Sequence, residues 1–130
     1  MGRSQLWARA AGLAALIAAG LSGCDASLRP PGDAGVCFQY VTLNTGKGQF
    51  NVLETGVSSL ESCASKLEGM RLHFLRLGGN RLSVTGAYQS KFIFVEPEGI
   101  FTSDSLNGAS YLALIRTGDG RLAPPGAFRQ

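Results

Sequence analysis

The hydrophobic pattern of this chain changes period twice. Val36 to Leu43 reads Val-Cys-Phe-Gln-Tyr-Val-Thr-Leu, and Gln49 to Glu54 is a second short β-rich run. Between them lies Asn44-Thr45-Gly46-Lys47-Gly48, which carries turn chemistry. The two runs predict a β-hairpin.

The period then lengthens to that of a helix. Ser58 and Glu61 have capping-box spacing, in which each side chain can satisfy an orphan N–H of the first turn. Gly78-Gly79 supplies a stop. At 100° per residue, Leu60, Cys63, Ala64, Leu67, Met70, Phe74, Leu75 and Leu77 share one broad arc. Glu61, Ser62, Ser65, Lys66, Glu68, His73 and Arg76 lie opposite or at its margins. Arg71 falls inside the arc, where a guanidinium must snorkel or find a partner.

After the helix the pattern is β again. Arg81 to Val95 holds one or two strands, with Gly86 as the expected break. Glu96-Pro97-Glu98-Gly99 fits a tight turn, Ile100 to Ser103 returns, and Ser110 to Arg116 is the last expected strand. The fold expected is α+β, an antiparallel sheet of about four to five strands packed on one long helix in the order ββαβββ. The domain spans 36–123, and 124–130 is a C-terminal tail. Phe92-Ile93-Phe94-Val95 and Tyr111-Leu112-Ala113-Leu114-Ile115 are apolar at both parities. A strand with one wet face should alternate, so a second layer, a curled sheet, the tail or a partner must cover the face away from the helix.

The first 23 residues follow a different logic. Met1 to Arg9 carries Arg3 and Arg9, and Ala10 to Leu21 is twelve almost wholly apolar residues. A spanning helix needs about 20, so this is the length of a secretory h-region. Leu21-Ser22-Gly23-Cys24 follows. It resembles the lipobox of bacterial lipoprotein precursors. The resemblance implies cleavage before Cys24, lipid on its sulfur and amine, and a membrane anchor facing the periplasm. One acyl chain anchors marginally at about 0.8 kcal/mol per buried CH₂, whereas several anchor firmly. Residues 24–35 then form the lipidated cysteine and a flexible tether. Asp25 leans the address towards the inner membrane, with the outer membrane left open.

Processing at Cys24 changes the composition. The full chain has 12 basic and 9 acidic residues; removing Arg3 and Arg9 leaves ten against nine. A balance near neutral, with no basic-aromatic interleaving, gives no reason to expect a nucleic-acid partner. Lipidation also leaves Cys37 and Cys63 as a pair. In an oxidising compartment a disulfide is the default, and closing a loop of 26 residues is worth about 3–4 kcal/mol.

Candidate chemistry is sparse. His73 is the single histidine, a solvated helix residue rather than a ligand, and no metal or other cofactor is expected. Asp104-Ser105 lacks a neighbouring base on sequence grounds, and Gly46-Lys47-Gly48 lacks the spacing of a phosphate loop. Glu96 and Glu98 read as exposed turn charges, and Tyr88 and Arg116 have no partner that sequence can name. Arg71 is the one candidate for a buried ion pair or a ligand contact. The inventory predicts no enzyme.

The leading expectation is a membrane-anchored envelope lipoprotein with a small non-catalytic interaction domain, its partners being the membrane through Cys24 and a second envelope protein or another copy. The mature part resembles small lipoproteins of Gram-negative envelopes. The alternative is a module for a hydrophobic ligand. A weaker one is inhibition of a cell-wall hydrolase: Thr85-Gly86-Ala87-Tyr88 is similar to the inhibitory loop of lysozyme-inhibiting lipoproteins but lacks its serine.

Overall fold

The first hairpin joins β1 (Cys37–Thr42) to β2 (Gly48–Glu54). Its turn closes where the Leu43 N–H donates to the Lys47 carbonyl at 2.8 Å, with Gly46 at φ +91°. This is a computed structural model, and it describes residues 28–126. The helix α1 (Leu60–Arg76) follows, then β3 (Val84–Tyr88), β4 (Lys91–Glu96), β5 (Gly99–Ser103), β6 (Tyr111–Arg116) and β7 (Leu122–Ala123). The strands form one antiparallel sheet in the order β2-β1-β3-β4-β5-β6-β7.

This corrects the expected ββαβββ sheet of four to five strands. The domain is mostly β, with seven strands and one helix among the described residues. Two misreadings account for the difference. Residues 81–95 do not break at Gly86, which lies buried inside β3. They turn at Gln89-Ser90, whose φ values of 43° and 71° are both left-handed. That is the backbone of a tight two-residue hairpin, usually written with Asn-Gly. Here two non-glycine residues adopt it, held by a bond from the Ser90 N–H to the Pro31 carbonyl at 2.9 Å. The second misreading is the end of the domain, 117–123, read as a turn without a strand, where Leu122 and Ala123 pair with Arg116 and Ile115 as β7.

The helix starts one residue later than the capping box suggests. Ser59 is the N-cap, its Oγ accepting the Ser62 N–H at 3.1 Å. At the far end Gly79 N–H reaches the Phe74 carbonyl and Gly78 N–H the Leu75 carbonyl, at 3.0 and 3.1 Å. Together with Gly78 at φ +91° these bonds make a Schellman stop.

One sheet face packs on the helix. Cys63, Ala64 and Leu67 of α1 bury against Cys37, Val84, Ile93, Val95, Ile100 and Leu114. Leu67 lies over Gly86: a Cβ there would come within 2.5 Å of Leu67 Cδ1 and of the Phe38 carbonyl oxygen. The glycine that looks like a strand break is therefore the seat of the helix.

The opposite face is aromatic. Phe38, Tyr40, Phe50, Phe92 and Phe94 form a chain of ring contacts. Phe50 on β2 stacks on Phe92 on β4, with ring centroids 5.9 Å apart. These strands are three places apart, or about 14 Å in a flat sheet at the usual spacing. The sheet curls to bring them together, and Phe92 is fully buried. This resolves the double apolarity of 92–95: Ile93 and Val95 serve the helix face, while Phe92 and Phe94 serve the aromatic one.

Candidate functional site

Arg71 is buried, and its neighbours satisfy it. Its Nε donates to Glu68 Oε1 at 3.0 Å and its Nη1 to the Leu82 carbonyl at 3.2 Å. Glu68 also accepts two bonds from Arg116 of β6, Nε to Oε2 at 2.7 Å and Nη2 to Oε1 at 2.8 Å. The remaining Arg116 donor, Nη1, reaches the Pro97 carbonyl at 3.0 Å. One carboxylate thus ties the helix to β6 and, through Arg116, to the β4–β5 turn. Burial pushes the Glu68 carboxyl up, but the hydrogen bonds and charges of the two guanidinium groups outweigh it and hold the carboxyl below its ordinary value. The hydrogen bond to Glu68 raises Arg116 in turn. Every contact of this triad is internal, so it is a structural clamp.

The second internal tie is the Cys37–Cys63 disulfide, which joins β1 to α1 with Cα atoms 5.4 Å apart. Beside it the Tyr88 hydroxyl donates to the Val57 carbonyl at 2.7 Å. Residues 31–35 are fastened at the same end of the sheet. Gly35 N–H donates to Gln89 Oε1 at 2.8 Å, and Val57 N–H donates to the Gly35 carbonyl at 2.8 Å. The chain therefore joins the domain at the end that carries the β3–β4 turn and the start of α1.

The most open chemistry lies at the other end. Leu72 to Ser83, covering the last turn of α1 and its exit, contains His73, Arg76 and Arg81 and no acidic residue. Leu77 is 72% exposed and Leu82 56%. A cleft of about 560 Å³ opens there between α1 and β1, with Val41, Phe74 and Leu77 as apolar wall and Gln39, Asn80 and Arg81 as polar rim. Among the described residues, neither Arg76 nor Arg81 has a carboxylate within ion-pair distance. The cleft exists because α1 packs mainly over β3 and β4, leaving this part of β1 uncovered. A second cleft, of about 720 Å³ at the start of α1, is lined by Ser58, Ser62, Ser65 and Lys66. Lys66 is already paired with Glu54 at 2.7 Å.

The remaining candidates lie apart from one another. His73 is exposed on the helix. Asp104 pairs with Lys91 at 2.7 Å, while Ser105 is engaged through its backbone with Ser103 Oγ. Glu96 and Glu98 flank the β4–β5 turn, and Gly46-Lys47-Gly48 belongs to the β1–β2 hairpin. Thr85-Gly86-Ala87-Tyr88 is β3 itself, near the middle of the sheet, rather than a loop. Among the described residues no three His, Cys, Asp or Glu side chains cluster as metal ligands, and no helix is long and apolar enough to cross a membrane. Cys24 and its leader lie outside the described residues, as does the end of the tail, 127–130.

Sequence reasoning singled out Arg71 but left its network incomplete. Glu68 carried one local signal, its i,i+3 spacing from Arg71. Its bond to Arg116, 48 residues away, carried none. Comparison with known family models, curated proteins and solved structures finds no match for this chain.

Proposed function

We propose that this chain is a lipoprotein anchored in the cell envelope through Cys24, whose domain is a non-catalytic interaction module facing the periplasm. The cleft beside the exit of α1 is its docking surface. The observation that carries the reading is the exposed Leu77 wall next to Arg81, a cation without a carboxylate partner among the described residues. An apolar wall with a lone cation at its rim suits a protein segment that pairs an apolar side chain with a carboxylate.

The position of the cleft supports this role. Among the described residues Pro31 is the first hydrogen-bonded to this end of the domain, and six residues lie between it and Cys24. Six intervening residues reach at most about 20–25 Å, which keeps the sheet near the bilayer while the cleft sits at the far ends of the strands. Asp25 favours the inner membrane as the address.

The test is photo-cross-linking in intact envelopes from a reactive residue at Asn80, with Ser58 as the control at the opposite end. The reading expects discrete protein adducts from Asn80 that Arg81→Glu abolishes. Equal labelling from both sites, or adducts indifferent to Arg81→Glu, would sink it.

A further inference from the structure

We infer that β2 is a self-pairing edge: two copies of this chain join antiparallel through Gly48–Glu54, about a twofold axis at Asn51. The inference stands on the strand edge alone, independent of the cleft and of the lipid anchor.

The hydrogen-bond phase of the first hairpin sets which groups are free. Leu43 N–H bonds to the Lys47 carbonyl, and the register then runs Thr42 to Gly48, Val41 to Gln49, Tyr40 to Phe50 and Gln39 to Asn51. Hydrogen-bonded pairs alternate along an antiparallel ladder. Lys47, Gln49 and Asn51 therefore direct their backbone groups to β1, while Gly48, Phe50 and Val52 direct theirs outward. β2 ends the sheet, and among the described residues nothing lies beyond it. A row of outward N–H and C=O groups at this spacing, otherwise met by water, is a ready template for another extended strand.

The one irregularity on this edge is the register shift at Leu53, at the end of the strand, and it leaves Gly48 to Val52 regular. Edges are commonly guarded by lysine, proline or an inward charge. Residues 48–53 contain no charge and no proline, and Val52 in their midst is 60% exposed. The opposite margin differs: β7 covers the end of β6, and Pro124-Pro125 follows directly.

The sequence of the edge favours its own copy. With the axis at Asn51, Phe50 faces Val52 of the second copy, twice over, so two of the three outward residues pair with each other and Gly48 lies at the margin of the joint. Aromatic against β-branched is a favourable cross-strand pair. Lys47 at one end of the strand and Glu54 at the other come to the same end of the antiparallel pair. Glu54 is half exposed beside Lys66, so its carboxylate remains reachable. Parallel pairing would set Lys47 against Lys47. In the antiparallel pair the N-terminal segments emerge at opposite ends of the joined sheet.

The experiment uses the full chain expressed in cells, with a photoreactive amino acid at Asn51 or, on the far side of the sheet, at Tyr111. The expected product is a cross-linked species of twice the chain mass from Asn51 alone, in which mass spectrometry joins a 48–54 peptide to another 48–54 peptide. Val52→Pro removes an outward N–H that β1 does not use, and should cut that product at least tenfold while the Cys37–Cys63 bond persists. Val52→Lys, which leaves the backbone intact, should do the same. A dimer that survives both substitutions, a dimer formed equally from Tyr111, or an adduct from Asn51 only to a different protein would overturn the inference.

Discussion

Replacing Glu68 with glutamine tests the clamp that ties α1 to β6. The amide keeps the size of the side chain and removes its charge. Three charge-assisted bonds weaken at once, the two from Arg116 and the one from Arg71. Two guanidinium groups are left facing a neutral amide whose NH₂ cannot accept. Breaking a buried pair by removing one partner costs about 3–5 kcal/mol. The Arg71 side chain is nearly buried, but Arg116 is a quarter exposed and water recovers part of its loss. The net expectation is about 2 kcal/mol at neutral pH. With a urea slope of about 1–1.5 kcal/mol/M for a domain of this size, the midpoint falls by roughly 1.3–2 M. The dependence on pH gives a second handle. Glu68 is held below its ordinary value of 4.5, so its stabilisation is present above that value and is lost as the pH falls through the folded one. The gap between wild type and Glu68→Gln should be full at pH 7 and close in acid. Urea melts at pH 7 and pH 3 decide the matter; a variant within 0.5 kcal/mol of wild type at pH 7, or a gap unchanged at pH 3, would refute the clamp.

Three further outcomes follow from the same geometry. Replacing both Cys37 and Cys63 with alanine opens a 26-residue loop and should cost about 3–4 kcal/mol, read as a lower melting temperature that reductant no longer changes. Gly86→Ala places a methyl against Leu67 and the Phe38 carbonyl and should cost about 1–3 kcal/mol by chemical denaturation, whereas Gly56→Ala, with open space around it, carries only backbone strain from its positive φ. Ser59→Ala should lose about 1 kcal/mol and Ser58→Ala under about 0.5, because Ser59 is the residue that caps α1; equal losses in the two melts would return the cap to Ser58.

Much of the architecture was legible where a local pattern determines it. The β1–β2 hairpin, the extent of α1 and its glycine stop follow from alternation, periodicity and turn chemistry. The strand count was not legible, because its determinants are remote. Gln89-Ser90 turns against the Pro31 carbonyl and Gly35, more than fifty residues earlier, and neither residue advertises a left-handed backbone. Leu122 and Ala123 are a strand only because β6 offers a partner. Gly86 illustrates the converse: its missing side chain reads as a break along the chain, yet serves a contact across it. At the cleft, the basic and leucine-rich exit of α1 is visible as composition. Its exposure is not, because that depends on where the helix settles across the sheet.

The central proposal is a domain held at a membrane by lipid on Cys24. Intact-mass measurement of the protein extracted from Gram-negative membranes tests it most directly. The account predicts a chain that begins at Cys24 and carries both diacylglyceryl and an amide-linked acyl group, with the Cys37–Cys63 bond closed. A chain that retains Met1, or that begins elsewhere without lipid, would contradict it.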